Sequence, residues 1–144
     1  MTLLQKTSPL DEAWIALDLE TTGLSPESDE IIEVGAVKFV GDEEVETFQS
    51  FVNPGRQLSD FITDLTGIVQ EDVDGAPAFG SVAPKLAVFL GTAPIVGHNV
   101  EFDLGFLARQ LDAFVVVVDS DGQLLLRLIL ANDVFVQKFF NFRR

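Results

Sequence analysis

The 144-residue chain has no cysteine and no tyrosine, and only one histidine, one methionine and one tryptophan. Without cysteine there is no disulfide framework, which suits a reducing compartment, so a cytoplasmic location is expected. Residues 1–11 lack the apolar core of a secretory signal. The apolar run Leu124–Leu130 falls far short of the roughly 20 residues that a membrane span needs, which leaves a membrane role without support. Cations are scarce as well: nine Lys and Arg against 23 Asp and Glu give a net charge of −14. Sequence-independent binding to nucleic acid draws on lysines and arginines that displace counterions, so any grip of this chain on a polyanion must be local, weak or borrowed. There is no internal repeat, linker or low-complexity stretch, and 47% hydrophobic residues suit one globular domain with a sizeable core, here 1–144.

Against this background the segment Asp18-Leu19-Glu20-Thr21-Thr22-Gly23 stands out. Trp14-Ile15-Ala16-Leu17 before it reads as a buried strand, and strand side chains alternate. Asp18 and Glu20 therefore emerge together on one face where that strand ends. Adjacent carboxylates resist ionising side by side unless a cation compensates, and all-oxygen ligands suit Mg2+ or Mn2+. The plainer reading is a pair of solvated acids at a strand end. A second segment, Ile95-Val96-Gly97-His98-Asn99-Val100-Glu101-Phe102-Asp103, adds weight to the metal reading. It runs from a short strand through glycine into a helix with Asn99 as N-cap and an apolar stripe of Leu104, Leu107, Ala108 and Leu111. Asp103 falls in that helix's first turn, where the helix dipole favours an anion. If the two strands are sheet neighbours, Asp103 joins Asp18 and Glu20 over one sheet end.

The remaining pattern predicts strands over Ile31–Val40 and Val45–Val52 joined by a Gly41–Glu44 turn, and a short helix over Leu58–Leu65 capped by Ser59 and stopped by Gly67. A longer helix is predicted over Ser81–Leu90, packing through Val82, Leu86 and Phe89, with Pro84 in its first turn. The acidic stretches Pro26–Glu30 and Gly41–Glu44 read as a solvated loop and a hairpin turn. Trp14, Leu65 and Ile68 are expected in the core, and His98 is expected to hold its own turn by a local hydrogen bond. Phe114–Val118 reads as a strand, Asp119–Gly122 as a turn, and Leu124–Leu130 as the start of a helix that is apolar on almost every side.

Five blocks, DLETTG at 18–23, IIEVGAVKF at 31–39, LTGI at 65–68, DVDGAPAF at 72–79 and GHNVEFD at 97–103, closely resemble the DEDD (DnaQ-like) 3′–5′ exonucleases, the family of the epsilon proofreading subunit of bacterial DNA polymerase III. The resemblance covers about 14–111 and implies a ribonuclease H-like α/β fold, a mixed five-stranded sheet flanked by helices, with Phe114–Val118 as the fifth strand. It implies hydrolysis of nucleic acid from the 3′ end to nucleoside monophosphates with two Mg2+ or Mn2+ ions. Asp18, Glu20 and Asp103 match three of the four metal-binding carboxylates. Thr21, Gly23 and Leu24 match the turn around the terminal nucleotide, with Leu65 and Thr66 as pocket walls and Asn99 and Phe102 beside it. DNA is favoured over RNA, and a polymerase or helicase, fused or separate, is the implied partner.

The departures sit in the divergent tail, 112–144. The family completes its site with a late histidine or tyrosine and a fourth aspartate, H-x4-D in the histidine branch. Here the only histidine is His98, and Asp119, Asp121 and Asp133 follow no histidine at that spacing. Four phenylalanines crowd 135–144. The expectation is a C-terminus that is truncated or altered, and metal binding with weak or no hydrolysis. The competing class is an inactive relative that keeps the fold as a docking module.

Overall fold

The computed structural model describes residues 13–91, 93, 95–110, 114–118, 124–129 and 135–140. Three antiparallel strands come first: β1 Ala13–Thr21, β2 Ile31–Val40 and β3 Glu43–Phe51. Two-residue periodicity sorts β1: Ile15, Leu17, Leu19 and Thr21 are buried, whereas Asp18 is exposed and Glu20 half-buried. The hairpin between β2 and β3 is tighter than predicted, because Val40 pairs with Glu43 across Gly41 and Asp42 alone. Gly41 takes φ +61°, the left-handed conformation that a two-residue hairpin asks of glycine. Trp14 is half-buried rather than in the core. It stacks on Phe39 with ring centroids 4.3 Å apart and donates from Nε1 to the Gly41 carbonyl at 3.0 Å, pinning this turn.

The short helices α1 Asp60–Thr66 and α2 Gln70–Asp74 follow. As predicted, Ser59 Oγ accepts the Ile62 amide at 3.2 Å and Gly67 ends α1 at φ +76°. Helix α3, Phe79–Leu90, begins two residues before the predicted start, since Phe79 is itself buried. Pro84 consequently lies in the second turn, not the first, and has no amide to return to Gly80. After the two-residue strand β4, Ile95–Val96, comes α4, Val100–Gln110.

The strands stand in the order β3-β2-β1-β4, with β4 parallel to β1 through Ile15–Ile95 and Ala16–Val96. Helices α3 and α4 cover one face: Val82, Leu86, Phe89, Leu104, Phe106 and Leu107 pack with Ile15, Leu17, Leu19, Val34 and Ala36. Phe106, fully buried, was not anticipated, whereas Ala108 from the expected stripe is only half-buried and Leu111 lies outside the described residues. A register slip where Glu20 pairs with Glu33 but Thr21 with Ile31 leaves Ile32 without a partner on β1. Ile32 instead enters a second cluster with Ile62, Ile68 and Val73, so this bulge beside the acids also seats α1 and α2.

The tail departs from the expectation. Phe114–Val118 (β5) does not extend the first sheet but pairs antiparallel with Leu124–Ile129 (β6), which pairs with Phe135–Phe140 (β7) in a separate sheet, β5-β6-β7. The first sheet is thus four-stranded rather than five-stranded among the described residues, and the run predicted to begin a helix is a strand. A continuous apolar run has no 3.6-residue period to favour a helix, and the two-residue β4 offers a fifth strand little edge to pair with. The expected turn at Asp119–Gly122, and the spare carboxylates Asp119, Asp121 and Asp133, lie outside the described residues.

Candidate metal centre

The parallel register ends at Ala16–Val96, so the last third of β1 has backbone groups on its β4 side with no strand partner. Helix α4 fills that gap. The Leu19 amide faces the Asp103 carboxylate and favours its charged form; Asp103 is 3% exposed, and its Oδ2 is buried with no hydrogen-bond partner. Loss of hydration drives the Asp103 pKa up to about 7, repulsion from Asp18 and then Glu20 adds to it, and the Leu19 amide opposes the rise. Glu20 is shifted upward as well, first by burial, then by Asp18 and by Glu33 facing it across the strand pair. Glu33 was not singled out from the sequence, although the hairpin register places it opposite Glu20.

Asp18, Glu20 and Asp103 therefore share one field at the end of β1, with burial graded from exposed to fully enclosed. Among the described residues no three His, Cys, Asp or Glu side chains converge tightly enough to enclose a metal ion by themselves. The donor set nevertheless fits a hard divalent cation. Its groups are carboxylates, they repel one another, and Asp103 Oδ2 has a lone-pair face with nothing to accept from. A cation that keeps several waters, as Mg2+ does, needs only one or two carboxylates directly. Beside Asp18, where Gly35 and Ala16 carry little side chain, a mainly apolar depression of about 360 Å³ opens on the sheet surface.

The residues expected around a terminal nucleotide divide into two kinds. Thr21 is buried and its Oγ1 donates to the Gly23 carbonyl at 2.6 Å, closing the first turn of the 22–30 loop. Gly23 leaves room for Asp29: a Cβ there would lie 2.7 Å from Asp29 Oδ1 and closer still to the rest of that carboxylate, which would have to shift. The space that its missing side chain frees is filled by Asp29. Thr66 is likewise engaged locally, donating to the Ile62 carbonyl at 2.8 Å and accepting the Ile68 amide at 3.1 Å. Leu24 and Leu65, by contrast, are 84% and 68% exposed. Leu65 is thus a surface residue rather than the core residue expected, with Phe61, which the sequence reading missed, one turn before it and 71% exposed. Phe102 is half-buried against Phe106, with centroids 4.9 Å apart. Asn99 stands before α4 at φ +53° rather than in the extended conformation of a side-chain cap, and its carbonyl accepts the Phe102 amide at 3.0 Å. His98 is exposed and makes no hydrogen bond among the described residues, so the local bond expected of it is not seen.

The acidic loop is more than a solvated stretch. Asp29 accepts from Thr22 Oγ1 at 3.2 Å and the Ser25 amide at 3.0 Å, and Glu30 meets Arg56, Arg109 and Gln110.

A mixed sheet whose interior strand ends in an acid pair, with a third acid on the helix after the neighbouring parallel strand, defines a ribonuclease H-like nuclease domain. The sequence profile of the RNase_T exonuclease family matches residues 15–138, and the chain belongs to these DnaQ-like 3′–5′ exonucleases. It is 43% identical over 101 residues to the PolC-type DNA polymerase III of Clostridium perfringens, covering 70% of this chain and 7% of that protein. It is 40% identical over 116 residues to the PolC-type enzyme of Caldanaerobacter subterraneus, covering 81% and 8%. The chain thus spans less than a tenth of these relatives. Among solved structures, the nuclease domain of 3′hExo, a DEDDh family member bound to rAMP, superposes with a TM-score of 0.63 at 31% identity, covering 74% of this chain and 61% of that one. Exonuclease X in complex with 5′ overhanging duplex DNA gives 0.56 at 25% identity, covering 68% and 63%. Among the described residues no helix is long and apolar enough to cross a membrane.

Proposed function

We propose that this chain carries the metal-binding core of an exonuclease that hydrolyses the 3′-terminal phosphodiester of DNA with two Mg2+ or Mn2+ ions held by Asp18, Glu20 and Asp103. The observation that carries this reading is the buried, unpartnered Oδ2 of Asp103 beside the acid pair that ends β1. Bound ions would supply Lewis-acid polarisation of the phosphate and an attacking water of lowered pKa. Asp103 must give up its proton to serve as a ligand, and the nearby Leu19 amide favours that charged form. Leu24, Leu65 and Phe61 present apolar surface to the terminal nucleotide, with Phe102 and Asn99 flanking the first turn of α4. Thr21, Gly23 and Thr66 act one step back, holding the turns that carry these groups.

DNA is preferred to RNA because the similar sequences are PolC-type DNA polymerases III at 40–43% identity, against 31% for a 3′-exonuclease solved with a histone mRNA stem-loop. With a charge of −14, affinity for DNA is borrowed from a polymerase or helicase, fused or separate, and the compartment proposed is the cytoplasm. The sequence holds no H-x4-D and no tyrosine. General-base catalysis typically contributes about 100- to 10,000-fold, so the chain binds metal and by itself hydrolyses weakly or not at all. That same absence favours a second reading, a docking module that has retired from catalysis.

The test is degradation of a 3′-labelled single-stranded DNA by purified chain with Mn2+, beside Asp18→Ala. Slow 3′ shortening lost in the variant supports the exonuclease. No shortening, together with Mn2+ binding that Asp18→Ala leaves unchanged, overturns it in favour of the docking module.

A further inference from the structure

The loop that leaves β1 returns to the far end of α4. Arg109 Nη1 donates to the Pro26 carbonyl at 2.7 Å and to the Asp29 carbonyl at 3.3 Å, and lies 3.9 Å from Glu30 Oε1. Gln110 Nε2 donates to Glu30 Oε2 at 2.5 Å. From the other side Arg56 donates to the Ser28 carbonyl at 2.9 Å and reaches Glu30 at 3.4 Å. One turn before Arg109, Gly105 lets the loop approach the helix itself: a Cβ there would stand 3.3 Å from Pro26 Cγ. Two scarce cations and a glutamine thus converge on one loop segment, and several of the acceptors are backbone carbonyls whose position only a folded loop defines.

Helix α4 has reason to need such an anchor. The strand that precedes it is held to β1 by two residue pairs, and its first turn carries an acid that faces two others. Without cations, that repulsion pushes the helix start away from β1, and the packing of Leu104, Phe106 and Leu107 opposes it. A second attachment, two turns on and tied to the continuation of β1 itself, makes the strand end and the helix one body.

We infer that Arg109, assisted by Gln110, is a positioning residue that clasps the 22–30 loop to α4 and thereby holds Asp103 against the end of β1. Its consequence for metal binding rests on the metal-site reading above; its consequence for the Asp103–Leu19 contact does not.

Amide hydrogen exchange and Mn2+ titration of the whole chain test it, in wild type, Arg109→Met, Arg109→Lys and Glu46→Gln, the last removing the separate surface pair with Lys38. Arg109→Met is expected to speed exchange at Leu19 at least fivefold, with the Ala36 amide in the middle of the sheet unchanged, and to weaken Mn2+ binding at least fivefold. Arg109→Lys recovers part of both, since a lysine reaches one carbonyl but not the set, and Glu46→Gln matches wild type. Leu19 exchange within twofold of wild type in Arg109→Met, with the amides of Ser25 and Asp29 opened, overturns the inference: the clasp then serves the loop alone. Should Arg109→Met accelerate every amide, Glu30→Gln, which weakens the same clasp more gently, takes its place with the same criteria. Mn2+ binding that is indifferent to Asp103→Asn identifies a failure of the metal reading, and the Leu19 measurement decides the clasp independently.

Discussion

Helices α1 and α4 flank the same strand end and use their side chains in opposite ways. Helix α4 is sunk into the sheet: Leu104, Phe106 and Leu107 are buried, and so is its carboxylate, Asp103. Helix α1 rests on the second cluster through Ile62 alone and turns Phe61 and Leu65 to solvent. A ligand that must approach like charges has to be held by a well-packed element, because electrostatics oppose its position. A surface that recognises a mobile strand end needs apolar groups left uncovered, and a seven-residue helix with little burial can carry them. On the function proposed above, the contrast separates stability from recognition by helix.

Removing the two phenylalanines gives the sharpest form of this contrast. Phe106→Ala is expected to destabilise the fold by about 3–5 kcal/mol, the usual cost of deleting a fully buried aromatic, and to abolish Mn2+ binding through loss of α4. Phe61→Ala should stay within about 0.5 kcal/mol of wild type while weakening binding of a single-stranded 3′ end, where stacking on an aromatic is worth roughly 1–3 kcal/mol. Urea unfolding and oligonucleotide titration read the two effects. Comparable stability losses would erase the proposed division between the helices.

The carboxylate of α4 gives the next largest effect, and its sign is unusual for an acid. A carboxyl that titrates near 3.8 when unfolded and about 7 when folded is bound by a proton more tightly in the native state. Its contribution to stability is therefore fully present below pH 4 and is lost as pH rises through 7, by at most about 4 kcal/mol for a shift of this size. In chelator the chain should lose stability over this window, and Mn2+ should restore it increasingly from pH 6 to pH 8. Asp103→Asn keeps the shape of the side chain, removes the charge and should be more stable than wild type at pH 8 without metal. Thermal unfolding with and without Mn2+ checks both arms, and a variant less stable than wild type at pH 8 contradicts the assignment.

What could be read in advance follows the physics of each segment. The end of β1 was legible because alternation and a turn signal act within a few residues, and Ser59 and Gly67 bounded α1 for the same reason. The approach of Asp103 needed one long-range pairing, between β1 and a two-residue strand that periodicity alone barely marks; the family blocks supplied it. Phe106 was missed because a helix sunk between a sheet and its neighbour buries more than one stripe. Glu30 looked like a solvated acid because its partners stand far off in sequence, Gln110 being 80 residues away, and Asp29 because its partners, the Thr22 hydroxyl and the Ser25 amide, come together only when the loop folds back on itself. The tail defeated the reading because a run such as Leu124–Ile129 has no period, and what pairs with it decides whether it is strand or helix.

The loop and the cap of α1 supply the smaller tests. Gly23→Ala places a Cβ within 2.7 Å of a carboxylate oxygen already committed to Thr22, and overpacking of this kind costs about 1–3 kcal/mol. Asp29 must move, so the loss should appear both in stability and in exchange at the Ser25 amide. Ser59→Ala removes one side-chain acceptor from the first turn of α1, a loss of about 1 kcal/mol. Because α1 contributes one buried residue, this cost should show as fraying of 60–66 rather than as a fall in global stability, and Mn2+ affinity should not change. Binding of the 3′ end should weaken, since Phe61 and Leu65 would be presented by a helix that is folded for less of the time. A Ser59→Ala protein that loses Mn2+ affinity instead would mean that α1 and α4 are coupled through the strand end, and that recognition and metal binding are not separable by helix.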